Sequence, residues 1–384
     1  MSPFPLISPS LTGLTSLNFY TVALLIPTGV GCAIGGYAGD GIPVARVLSQ
    51  AVDCLITHPN VLNGAQLYWP LNNTLYVEGY ALDRFAAGEW NLAPVRANRV
   101  GLILDAGIEP DLRLRHIQAA EAVRATLGLS LVGYTLTDRP LQVSLQQSAT
   151  GASWGQVEHL DSLFRAAQVL IERGRAEAIA VVARFPEDPE TEALQAYRQG
   201  QGVDRLAGAE AVISHGIVRE FRIPCAHAPA LSPLPLDPSI SPRSAAEELG
   251  YTFLPCVLVG LSRAPQYVSG QDFSGENPSL PAKNPPPTPY STTLPHSITT
   301  QSVNAVITPA SACGGPALLH WAAQGKTIVA VEDNTTTLSV FPEALGIKAV
   351  RVQSYLEAVG YIVSQRAGVD PQLLRSVFAP LTQI

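Results

Sequence analysis

The chain has 384 residues, which at about 100–200 residues per domain holds two domains or one large α/β domain. Hydrophobic residues make up 47% and charged residues 14%, a balance that excludes a disordered chain. A net charge of −7 excludes a general nucleic-acid binder, and five cysteines without a CxxC pair exclude a disulfide framework or a Cys/His zinc module.

The first organised segment, 21–39, carries no charge. Pro27 and its glycines would expose backbone polar groups to lipid, so it reads as a short buried strand, 22–26, running into a glycine-rich loop. Further strand-like runs fall at 54–57, 100–105, 131–135, 178–183, 211–214, 256–261, 303–308, 327–331 and 349–352. Their continuous apolar character suits strands buried on both faces. Between them lie helical stripes, with Leu114 to Leu127 ending at Gly128, Val157 to Leu170 ending at Gly174, and Leu356 to Val363 ending at Gly368. The expected fold is α/β and doubly wound, with a mostly parallel sheet or sheets and a Pro-rich insertion.

Two stretches interrupt the alternation: 224–242 with six prolines and 262–300 with eight. Proline cannot complete a ladder of hydrogen bonds, so the second reads as a linker or surface excursion. The expected organisation is a main α/β domain over 1–261, the Pro-rich segment 262–300, and a C-terminal β-α-β unit over 301–384. Runs 53–57, 210–214 and 304–308 share one form ending in Thr57, Ser214 and Thr308. If all three are strands, their hydroxyl ends converge on one crevice at the carboxyl edge of a sheet, where α/β proteins bind ligands.

The candidate site residues follow from that placement. Thr28, Gly29, Gly31, Gly35, Gly36 and Asp40 lie in the glycine-rich loop, whose amides can approach an anion. The spacing only approximates a dinucleotide fingerprint, and it is no P-loop. Thr57, His58 and Asn60 end the second strand and offer an acid–base imidazole beside an amide. Glu78 sits with Asp83 and Arg84 in apolar surroundings, where charges must be paired or used. Asp105 ends a strand, and Ser148–Ser153 precedes a helix expected near Gln156, where hydroxyls cap or cradle an anion. Ser214 and His215 mirror Thr57 and His58, and His227 follows nearby; no spacing demands a metal. Gly314 and Gly315 turn into a helix N-terminus suited to an anion, with Cys313 beside them as a candidate nucleophile. Glu332, Asp333 and Asn334 end the neighbouring strand.

The runs at 26–40, 55–63, 76–85, 99–109 and 312–340 (ACGGPALLHWAAQGKTIVAVEDNTTTLSV) resemble a family of cyanobacteria and plant plastids designated a domain of unknown function. The resemblance spans nearly the whole chain. It implies a soluble cytoplasmic or stromal protein and carries no catalytic roles. A looser likeness of Gly314, Gly315 and 325–331 to nucleotide-sugar transferase domains lacks the rest of that pattern.

The expected function is an enzyme that binds a small anionic molecule at strand C-terminal ends. His58 or His215 would shuttle protons, and Asp105, Glu78 or Asp333 would serve as the carboxylate. Reaction class and cofactor stay open. The alternative is a non-catalytic assembly or regulatory factor that binds protein partners. No nucleic acid and no membrane insertion are expected, a homo-oligomer is allowed for, and the location is cytoplasmic, with reduced cysteines.

Overall fold

The computed structural model describes residues 19–63, 65–187, 191–250, 253–269, 294–378 and 380–381. Most of the Pro-rich insertion, 270–293, lies outside the described residues. Two parallel sheets form the frame.

The first contains β1 (Thr21–Leu24), β2 (Cys54–Thr57) and β3 (Thr74–Tyr76). The second contains β5 (Val100–Leu104), β6 (Leu131–Leu136), β9 (Ala178–Arg184) and β10 (Cys225–Ala230). Two antiparallel pairs flank them: β4 (Trp90–Ala93) with β11 (Gln266–Ser269), and the hairpin of β7 (Val143–Gln147) and β8 (Ser153–Val157). The last three strands, β12 (Val303–Pro309), β13 (Thr327–Val331) and β14 (Ala349–Val352), return to the first sheet.

That sheet runs β14-β13-β12-β1-β2-β3, so its own strands in chain order read 3-2-1-4-5-6. This is the doubly wound order, reversing between β1 and β12. Ala23 stands opposite Val306 on one side and Ile56 on the other. The four-stranded sheet runs β10-β9-β5-β6 and reverses between β5 and β9. Its proline-bearing strand, β10, is an edge, the position that tolerates Pro229 within a sheet.

Three expected elements are corrected. Residues 211–214 belong to the helix Ala207–Phe221, and 256–261 belong to the helix Leu254–Ser262. Every residue of the second helix except Pro255 is buried, as it packs on β9, β10 and β5 and on the helix Pro110–Leu127. A helix buried all round leaves the same apolar run as a buried strand. Ser153 opens β8 rather than preceding a helix. The strands that these readings missed are β3, β4, β7, β8, β10 and β11, of which β10 is hidden by its prolines.

The hydrophobic core is continuous across both sheets. Leu24, Leu55 and Ile307 of the first pack in one cluster with Leu102, Val182 and Ala228 of the second, and with Val257 and Leu258 of the buried helix.

Candidate functional site

The glycine-rich loop leaves β1 at the reversal point of the six-stranded sheet, where a ligand site was expected. The protein fills this place with its own groups. Ile34 N donates to Asn334 Oδ1 at 2.9 Å, and Asn334 Nδ2 donates back to Ile34 O at 2.9 Å and to Tyr355 Oη at 2.7 Å. Ala33 N donates to Thr335 O, and Thr337 N donates to Val30 O. Gly29 O accepts from Ser153 N, while Thr28 stands half-buried at the loop's start. Gly31 (φ +63°) lies where a Cβ would sit 2.9 Å from Gly202 O, and Gly35 (φ +83°) lies against Ile26. A Cβ on Gly36 would meet Cys32 O. Asp40 accepts from Tyr37 N and pairs with Arg243 at 2.8 Å; burial raises its pKa against the pull of that pair.

Asn60 and Asn334 therefore hold one loop from two sides, while Glu332 and Asp333 bond elsewhere. Thr57 Oγ1 donates to Leu24 O at 2.7 Å. His58 Nε2 accepts from Ile26 N at 3.2 Å, and burial lowers its pKa to about 4. The accepting nitrogen needs its lone pair, so the ring is neutral at physiological pH. Asn60 Nδ2 donates to Gly35 O, and Asn60 O accepts from Gly39 N. Glu332 pairs with Arg351, and Asp333 is exposed.

The turn at Gly314-Gly315 does bind a carboxylate, and it is internal. Ala317 N, at the start of the helix Pro316–Ala323, donates to Asp83 Oδ1 at 3.0 Å. Burial raises the pKa of Asp83, and that amide lowers it. Cys313 is buried and its thiol is pushed up to about 11, the wrong direction for a nucleophile. Asp105 is also structural in its contacts: it accepts from Gly107 N, Leu141 N and Arg184 N, tying β5 to β9 and to the segment before β7.

Glu78 and His215 do come together. Glu78 is buried and caps the helix Gly79–Ala86 by accepting from Tyr80 N and Ala81 N. Its Oε1 lies 3.0 Å from Nε2 of the half-exposed His215. Burial lowers the imidazole pKa, but the Glu78 bond and the Asp83 charge outweigh it, for a net rise. A side chain on residue 79 would crowd the ring, since its Cβ would lie 3.0 Å from His215 Nε2. Ser214, on the same helix, donates to Glu210 O. His215 and Ser214 thus stand on a helix face and not at a strand end.

A hollow of about 410 Å³ lies in the seam between the two sheets. Asn60, Asn63 and Ala38 reach it from the first sheet's loops, and His227 and Ala228 reach it from β10. The remaining walls are the helices Glu192–Arg198 and Pro242–Glu248 and the turn 203–206. Such a volume suits a small ligand, and the place, past the carboxyl ends of β2 and β10, suits an α/β binding site.

Five carboxylates line the hollow, and two of them, Glu187 and Glu248, are paired with arginines. Asp204 Oδ1 accepts from Leu206 N at 2.8 Å, and burial with the Glu210 and Glu247 charges raises its pKa well above the carboxylate range. Glu247 accepts from Ala38 N at 2.7 Å and from Tyr197 Oη at 2.5 Å, and burial raises it to about 7. Glu210 Oε2 lies 3.4 Å from His227 Nε2, whose Nδ1 is buried without a hydrogen-bond partner among the described residues. A carboxyl group titrating near neutrality, as Glu247 does, can give or take a proton. Of the expected site residues, Asn60 and His227 line this hollow. Asp204 and Glu247 were missed because each reads locally as a solvated charge near a helix start or end, and Glu210 because 210–214 reads as a strand. No group of three or more His, Cys, Asp or Glu side chains converges as a metal site among the described residues.

Residues 21–375 match the family described as protein of unknown function (DUF3326). The chain is also 59% identical over 354 residues to a protein of Synechococcus sp. described as an uncharacterised lipoprotein, covering 92% of this chain and 93% of that one. No solved structure matches. The matched span takes in both parallel sheets and every group that faces the seam hollow, and the chain belongs to the DUF3326 family.

Proposed function

We propose that the protein is an enzyme performing acid–base chemistry on a small molecule held in the seam pocket. One observation carries this reading: Asp204, Glu210, Glu247 and His227 converge on a single enclosed hollow of about 410 Å³ to which both sheets contribute. Glu247 is the proton carrier, Asp204 a second carboxyl group beside it, and the Glu210–His227 pair a second relay. The pocket, rather than the glycine-rich loop, takes the substrate, because the loop's amides at 33, 34, 38 and 39 already donate within the protein.

A thermal-shift screen against a metabolite panel tests this. Binders are expected to lose their effect in Leu231→Trp, which obstructs the pocket wall. The activity found with such a binder is expected to show an inflection near pH 7 that Glu247→Gln abolishes. Binders that stabilise Leu231→Trp as they do the parent protein would refute the assignment.

The reading places the protein in the cytoplasm, supported by five free cysteines that are all buried. The contrary reading is membrane attachment, which the description of the Synechococcus relative as a lipoprotein suggests. Cell fractionation decides it, with recovery in the membrane pellet as the contrary result.

A second reading, a non-catalytic factor binding protein partners, has one observation behind it. Leu373, Leu374, Val377, Phe378 and Leu381 stand exposed near the C-terminus.

A further inference from the structure

The charges around the seam pocket do not balance, and the imbalance carries information about the occupant. Eight ionisable side chains among the described residues line the hollow. Some are neutralised within the protein. Glu187 pairs with Arg184 at 2.6 Å, and Arg198 pairs with Glu248 at 2.6 Å. What remains is Asp204, Glu210 and Glu247 against Arg205 and His227. Neither Asp204 nor Glu247 has an Arg or Lys within 4.0 Å among the described residues, and Glu210 has only His227. Enclosed carboxylates without cations either hold their protons or meet a positive charge from outside. A metal ion is a poor candidate, since these side chains do not converge as ligands. Leu194, Val203, Pro229, Leu231 and Leu234 form an apolar part of the wall.

We propose that the substrate of the seam pocket is an organic amine: an ammonium group received by Asp204 and Glu247, the two carboxyl groups without a cationic partner, on an apolar body that packs against the Leu and Pro wall. This rests on the reading of the pocket as the substrate site and replaces the anion expected from the sequence. A charge-assisted hydrogen bond from ammonium to carboxylate is favoured in so enclosed a place. Binding draws the carboxyl protons off, so the complex forms with proton release.

The test uses three probes of one shape and different charge, benzylamine, benzyl alcohol and benzoate, titrated calorimetrically into the full chain. Benzylamine is expected to bind and the other two to bind at least about tenfold more weakly. Its affinity is expected to rise from pH 6 to pH 8, with heats that depend on the buffer's ionisation enthalpy. Asp204→Asn and Glu247→Gln are each expected to weaken it about tenfold or more, while Leu231→Trp removes binding altogether. Benzoate or benzyl alcohol binding as tightly as benzylamine, in a manner lost in Leu231→Trp, overturns the amine assignment and leaves the pocket reading in place. Binding of none of the three, or benzylamine binding that Leu231→Trp leaves intact, overturns both.

Discussion

His58 shows how a residue that looks catalytic in sequence is consumed by structure. Its Nε2 is the acceptor for Ile26 N, and burial pulls its pKa from 6.5 to about 4. In the unfolded chain the ring takes up a proton below about pH 6.5 that the folded chain refuses until about pH 4. The stability linked to His58 is therefore complete above pH 6.5 and is lost as pH falls through that window. His58→Ala is expected to remove this share of the acid sensitivity. It also leaves Ile26 N without its acceptor, at a cost of about 1–3 kcal/mol at pH 7. Urea denaturation between pH 4 and pH 8 measures both effects. An unchanged pH slope in the variant would place the titration elsewhere. Asp83 makes a related point: the anion-binding turn at Gly314-Gly315 was legible, but its anion is a side chain 234 residues away in sequence. Complementarity can be read from local sequence, whereas the identity of the partner cannot.

At the scale of elements, periodicity served where one face is buried and failed where all faces are. The helix Pro110–Leu127 and its Gly128 stop were legible, but only the middle of the expected stripe, Ala120 and Val123, is buried, while Leu114 and Leu127 are exposed. The helices Ala207–Phe221 and Leu254–Ser262 bury residues on most sides and were indistinguishable from strands over four to six residues. The first of these docks on a hairpin backbone: a Cβ on Gly208 would lie 2.1 Å from Trp154 Cα, and Gly208 N donates to Ser153 Oγ. Gly208→Ala is thus expected to cost about 3 kcal/mol, near the upper end for overpacking. Gly360→Ala, in open space within the helix Tyr355–Arg366, is expected to stabilise by up to about 1 kcal/mol. Parallel urea titrations compare the two. Equal midpoints would mean that the helix and hairpin can separate without cost.

For the whole molecule, the chain's two ends share one sheet. β1 is fully buried between β2 and β12, so β12–β14 complete a sheet begun about 280 residues earlier, as the Thr21–Asn304 bond shows. A chain ending at residue 302 would leave β1 as a bare edge, with Val22, Leu24 and Ala23 uncovered. Such a truncation is expected to aggregate or to unfold without cooperativity in size-exclusion and circular-dichroism experiments. A monomeric fragment with a sharp thermal transition would show that the β1–β3 side is self-sufficient.

The α/β class, the parallel strands and the bend of the glycine-rich loop were decided locally, because backbone preference and apolar periodicity act over a few residues. The site was decided only by tertiary structure. Asn60, Asp204, Glu210, His227 and Glu247 meet because two sheets close on one seam, and what that closure buries beside Asp204 and Glu247 raises their pKa values. Proton affinity depends on desolvation and neighbouring charge, and neither exists until the chain has folded.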